Sequence, residues 1–186
     1  MNALLALLMI VTGAAHSSPR IALLDLSPRA DVNVPAYRMV RESLRDELRT
    51  QGFDVVMTTV TYDSLQRHDN IADYYVEITS AERDAGQDGV SVGVGTRGAG
   101  VEVGAVTGVA HAELRLFDGR TLDLIRSYDL ENHSTGLAPT SIGTGGRNVF
   151  ASIFIAPIFE RVQMRNAARA VARDAARRIA GDLARP

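Results

Sequence analysis

Arg20-Ile-Ala-Leu-Leu-Asp-Leu26 decides the fold. It is a short, nearly continuous apolar run, the pattern of a strand buried on both faces. Ser27-Pro28 ends it, and Pro35 suits the first turn of a helix, where a missing backbone N–H costs nothing. Tyr37, Val40, Leu44 and Leu48 then recur at helical spacing, with Arg41, Glu42, Arg45, Asp46 and Arg49 between them. That is an amphipathic helix with one face on a sheet. Gly52 stops it, and Phe53-Asp-Val-Val-Met57 reads as a second strand. Strand, helix and strand within residues 20–57 is the spacing of a βαβ unit.

Downstream, a short helical turn is expected around Ser64–Arg67. Ala72-Asp-Tyr-Tyr-Val-Glu-Ile-Thr-Ser80 is a third strand, with Tyr74, Val76 and Ile78 on one face and Asp73, Tyr75, Glu77 and Thr79 on the other. Glu82–Asp88 reads as a polar turn. Gly89–Val109 alternates glycine with valine, which argues strands joined by a turn at Thr96–Gly100. The chain continues through His111–Phe117, turns at Asp118-Gly119 and returns as Leu122–Leu130, a hairpin signal. Glu131–Arg147, rich in Asn, Ser, Thr and Gly, reads as a long loop. Pro157 starts a last helix, Ile158–Ala184, whose inner stripe is Ala168, Val171, Ala175, Ile179 and Leu183. The fold class is therefore α/β (α+β): a mixed sheet with an N-terminal βαβ unit, Gly-rich antiparallel hairpins, and helices including a long C-terminal one packed on the sheet.

The apolar run Ala3–Val11, followed by Gly13 and Ala15, reads as a signal peptide over residues 1–15, cleaved before His16. At roughly half the ~20 residues a span needs, it is too short for a permanent anchor. Residues 16–186 then form a single domain, long enough for a real core. The formal charge of −2 gives no general pull toward nucleic acid. There is no cysteine, which argues against disulfides, thiolate metal sites and an acylated N-terminus, so a free periplasmic or secreted protein is expected. Every basic side chain is arginine, which excludes lysine chemistry.

The order of Ile21–Leu26, Ala72–Thr79, the Gly-rich hairpin, Leu114–Leu124 and the closing Ala-Arg-rich helix resembles bacterial envelope domains related to the TolB N-terminal domain. The periplasmic domain of the curli-secretion channel and the outer-membrane activators of penicillin-binding proteins share that plan. The resemblance implies an α/β sandwich that binds other envelope proteins and has no catalytic residues to carry over. Many relatives are lipoproteins, whose cysteine this chain lacks.

Read for chemistry, the residues point the same way. Gly93-Val-Gly-Thr-Arg-Gly98 has the spacing of a dinucleotide-binding loop, but a strand pattern follows it rather than a helix, so no cofactor is expected. His16, His68, His111 and His133 show no metal spacing. His111, with Glu113 and Arg115 on its strand face, reads as the polar side of a strand. Asp25 and Asp73 could pair as acids, though strand ends commonly carry Asp. No Gly-x-Ser-x-Gly nucleophile context is present. Arg161, Arg165, Arg169, Arg173 and Arg177 form a ridge along the last helix, either a solvated face or a dock for an acidic partner. Phe150, Ile153, Phe154, Ile155, Ile158 and Phe159 are too dense for one face, so core packing competes with an exposed patch.

The expected function is a non-catalytic binding or assembly component of the bacterial cell envelope. It would bind an envelope protein or itself, with no nucleic acid and at most peripheral membrane contact. Val94, Arg97, Phe150, Phe154, Arg165, Arg169 and Arg173 are the candidate surface. The alternatives are a subunit of an oligomeric envelope channel built from the Gly–Val hairpin, and a small hydrolase using Asp and His groups.

Overall fold

The structure is a computed structural model that describes residues 18–28, 32–67, 70–96, 99–144, 147–149 and 156–184. β1 (Arg20–Leu23) is followed by α1 (Val34–Thr50), β2 (Asp54–Met57) and α2 (Tyr62–Leu65). Three long strands come next: β3 (Tyr74–Thr96), β4 (Ala99–Asp118) and β5 (Leu124–Thr144). β6 (Arg147–Val149) and α3 (Ala156–Leu183) close the chain. The six strands form one sheet in the order β2-β1-β3-β4-β5-β6. β1 is parallel to β2 and β3; the other pairs are antiparallel.

The βαβ unit is as the apolar pattern dictates. Asn33 caps α1, its Oδ1 accepting the Ala36 N–H at 3.1 Å. Pro35 stands in the first turn, and Gly52 follows the last with φ +92°. β1 is buried on both faces. Ile21 and Leu23 join Tyr37, Val40, Leu44 and Leu48 under α1. Ala22 and Leu24 join Leu65, Tyr75 and Phe117 under α2. The predicted alternation of β3 holds to Ile78. A register shift between Ile78 and Ser80 then lets both Ile78 and Ala81 face the helices.

α3 lies along β4 and β5 on the same face as α1. Its inner stripe is almost all small: Ala167, Ala168, Val171, Ala172, Ala175, Ala176 and Ile179 are buried. Small residues let a helix axis come close, and one contact shows how close. A Cβ at Gly108 would lie 2.5 Å from the carbonyl carbon of Gln163 and the nitrogen of Met164. At the other end of the helix, Tyr128 Oη donates to Asp182 Oδ2 at 2.9 Å.

Two expectations fail. Glu82–Asp88, expected as a turn, lies inside β3 and pairs with His111–Ala105 of β4. Of Glu131–Arg147, expected as a loop, Glu131–Thr144 is the second half of β5 and Arg147 starts β6. Both segments belong to strands with one face under a helix and the other, among the described residues, uncovered. The uncovered face takes polar residues. The covered face of β5 carries Ser134, Gly136 and Ala138, which the close approach of Gln163 and the helix requires. Neither segment therefore shows the apolar alternation by which strands are recognised. β3 ends at Thr96 and β4 begins at Ala99, and residues 97–98 of the expected turn at Thr96–Gly100 lie outside the described residues; the Asp118-Gly119 turn falls between β4 and β5. Gly93–Thr96 is thus the end of a strand paired with Glu102–Ala99, not a strand-to-helix loop.

The three long strands outrun the helix. The 20 residues of β4 span ~65 Å at ~3.3 Å each, against ~42 Å for the 28 residues of α3 at ~1.5 Å each. The end of the sheet around the β3–β4 turn extends past the layer of helices.

Candidate functional site

A doubly wound sheet holds its ligand at the carboxyl ends of its parallel strands. Here that crevice is filled by the chain itself. Arg41 of α1 donates through Nη2 to the carbonyls of Leu23 at 2.9 Å and Thr58 at 2.5 Å. It thereby ties the ends of β1 and β2 together. Its Nη1 lies 3.5 Å from Asp25, and the guanidinium sits 5.8 Å from the centre of the Tyr37 ring. Tyr37 Oη donates to the Leu24 carbonyl at 3.0 Å, and burial pushes that hydroxyl up to about 12. Asp25 and Asp73 do not converge. Asp25 follows the carboxyl end of β1, while Asp73 accepts the Arg20 N–H at the amino end, at 2.8 Å. Among the described residues, no three His, Asp or Glu side chains are placed to hold a metal ion.

Glu77, on the strand face opposite Val76 and Ile78, is buried. Its Oε2 has no hydrogen-bond partner, and Arg115 Nη1 stands 3.9 Å away on the neighbouring strand. Burial pushes its carboxyl above the usual range; Arg115 opposes that and Asp63 adds to it. A carboxyl raised in the fold gives stability that is fully present below its unfolded pKa and lost as pH rises through the folded one. Glu77→Gln keeps the shape without the charge. It is expected to raise the thermal midpoint at pH 7 and to lose that advantage below the ordinary value of 4.5. A lower midpoint at pH 7 would mean that the attraction to Arg115 outweighs burial.

The face of β3–β5 away from α3 carries a strip of titratable groups. Glu82 and Asp84 come from β3, His111, Glu113 and Arg115 from β4, Asp129, Glu131 and His133 from β5. His111 Nε2 lies 2.7 Å from Asp129 Oδ1, and His133 Nε2 lies 3.0 Å from Glu131 Oε1. His111 thus stands on a polar strand face, as expected.

The arginine ridge lies on the opposite side of the molecule. Arg165 and Arg169 line a groove of about 360 Å³ between α1 and α3, with Arg38, Glu42, Asp46 and Glu47 across it. Arg173 Nη2 is 3.5 Å from Glu47 Oε1. Part of the ridge is therefore balanced by acids of α1. Val94 stands opposite Val101 in the β3–β4 register. Arg97, Phe150 and Phe154 lie outside the described residues. The candidate positions thus fall on separate parts of the molecule: Val94 on the sheet extension, and Arg165, Arg169 and Arg173 on α3.

What the structure adds to the candidate surface at Val94 is the extent of an edge. β1 pairs with β3 only at Tyr74–Val76. Farther on, Asn33 N–H donates to the Ala81 carbonyl at 3.2 Å. Beyond Ala81, among the described residues, β3 is paired on its β4 side alone. No local pattern marks how far that edge runs, because the polar stretch of β3 lacks apolar alternation.

No family model matches the chain, and no curated protein does. Solved structures match it at low identity. A minor lipoprotein from Acinetobacter baumannii is 11% identical over 89% of this chain and 94% of its own, with a TM-score of 0.45. The rare lipoprotein B from Shewanella oneidensis is 12% identical over 89% and 93%, with a TM-score of 0.40. The PelC dodecamer from Paraburkholderia phytofirmans is 14% identical over 85% and 84%, with a TM-score of 0.40. The likeness is one of overall layout. All three are from bacteria, and two are named as lipoproteins. None of the three is named for the TolB, curli-channel or activator groups. The lipoprotein names also overturn the expectation of a free periplasmic or secreted protein.

Proposed function

We propose that this chain is a non-catalytic binding or assembly component of the bacterial cell envelope, which captures a partner chain by main-chain pairing along the outer edge of β3. The observation that carries this reading is the edge itself. An unpaired strand edge offers a row of free N–H and C=O groups, and proteins guard such edges with charge, proline or a bulge. From Ser91 to Thr96, β3 has no charge and no proline and pairs with Gly104–Ala99 in unbroken register. An added strand gains affinity from the ladder of main-chain bonds. A second open edge favours the channel-subunit reading as the alternative: among the described residues, β5 pairs with β6 only at Ile142–Thr144, and a sheet open on both sides can close with copies of itself.

Successive N–H groups of a strand point to opposite edges. Of Gly93→Pro and Val94→Pro, one therefore removes a donor facing β4 and the other a donor facing outward. The outward variant is expected to keep its circular dichroism and lose capture of envelope proteins in a pull-down. Unchanged capture by both variants would place the partner elsewhere.

A further inference from the structure

We infer that copies of this chain stack front to back, with the open face of β3–β5 in one copy seated on the outer face of α3 in the next. The inference rests on the assembly reading above but uses surfaces distinct from the β3 edge. The two faces are opposite in charge. The open face carries Glu82, Asp84, Glu113, Asp129 and Glu131 against two arginines: Arg115, which is turned to Glu77, and Arg83, which lines the same hollow as Glu82 and Asp84. The outer face of α3 carries Arg161, Arg165, Arg169, Arg173 and Arg177, all exposed.

The spacings also agree. Same-face residues on a strand recur every ~6.6 Å, and residues four apart on a helix every ~6 Å. Gln163 fixes the common level, because its Oε1 accepts from Ser134 Oγ at 2.7 Å. From there toward the body of the domain, Arg165, Arg169 and Arg173 lie ~3, ~9 and ~15 Å along the helix. Asp84 stands in the row of Val109 and His133, ~3 Å along the strands; Glu82 in the row of His111 and Glu131, ~10 Å; Glu113 and Asp129 ~17 Å. Carboxylates and arginines thus keep step over three rows.

In the other direction both faces turn apolar. Leu137 is 71% exposed on the open face, and Ile158 and Val162 are 59% and 47% exposed on α3. One translation across the sheet would seat Leu137 near Ile158 and Val162 while each carboxylate row meets an arginine. The two faces differ, so the contact is heterologous and each copy keeps one free face of each kind. Assembly then continues into a ring or a filament.

Sedimentation velocity of the full chain tests this. At low salt the chain is expected to run larger than a monomer, and at high salt as a monomer, because exposed charges are screened. Arg165→Glu with Arg169→Glu, and separately Asp84→Arg with Glu82→Arg, should each abolish assembly. An equal mixture of the two double variants should restore it, since each then offers the face that the other lacks. A monomeric wild type at low salt, double variants that assemble like wild type, or a mixture that stays monomeric would overturn the inference. The β3-edge proline variants are expected to sediment as wild type, so a failed partner capture and a failed stack are told apart.

Discussion

A side chain at Gly108 is expected to lower the unfolding free energy by about 1–3 kcal/mol, with Gly108→Val worse than Gly108→Ala. The Cβ would meet main-chain atoms of Gln163 and Met164 at 2.5 Å. Those atoms belong to a helix and cannot rotate aside, so α3 as a whole must lift. Lifting it loosens the contacts of Ala167, Val171 and Ala175, which are buried only because the helix lies so close. Gly181 supplies the control. It is also in α3, and a Cβ there would meet nothing within 4 Å. Gly181→Ala is expected to be neutral or to stabilise by up to ~1 kcal/mol, since it removes the helix penalty of glycine without a clash. Chemical denaturation of the two variants side by side reads the difference. Equal midpoints would mean that α3 does not sit on β4 as described.

Gly108 also marks where the sequence stops being legible. The βαβ unit could be read because its residues are large and apolar and recur with a clear period: Leu44 and Leu48 against Ile21 and Leu23 leave no other arrangement. The last helix could be read from its length and alanine stripe. The middle of the chain could not be divided correctly, because burial there is achieved by small residues. Gly108, Gly136 and Ala138 sit under α3, yet look like turn or loop residues when only hydrophobic periodicity is weighed. The opposite face of the same strands has no helix over it and admits Glu82, Asp84, His133 and Ser127, so nothing in their polarity announced a strand. Of the candidate surface, the arginine ridge was legible as a four-residue repeat. That its Arg173 meets Glu47 depends on α1 and α3 lying side by side, which no local pattern encodes. The burial of Glu77 was hidden for the same reason: its neighbours under α2 come from distant parts of the chain.

Leu44→Ala is expected to cost about 2–5 kcal/mol, the range for removing a fully buried leucine. Leu44 is 0% exposed and lies in the cluster that joins α1, β1, β3 and α3. A cavity there has no loop beside it that could collapse inward, because Ile21, Val76 and Ile179 on the surrounding elements are themselves 0–1% exposed. Leu124→Ala makes the comparison, since Leu124 is 53% exposed at the start of β5 and its truncation is expected to change little. The contrast bears on the sheet extension as well. Strands beyond the helices bury less apolar surface to hold them, so their order depends on the body to which β3, β4 and β5 are joined. Leu44→Ala is therefore expected to lower the denaturation midpoint in one cooperative transition seen equally by far-ultraviolet circular dichroism and by hydrogen exchange in β4. A midpoint unmoved by Leu44→Ala would show that α1 does not cover the sheet, and two separate transitions would show that the long strands hold together without the βαβ body.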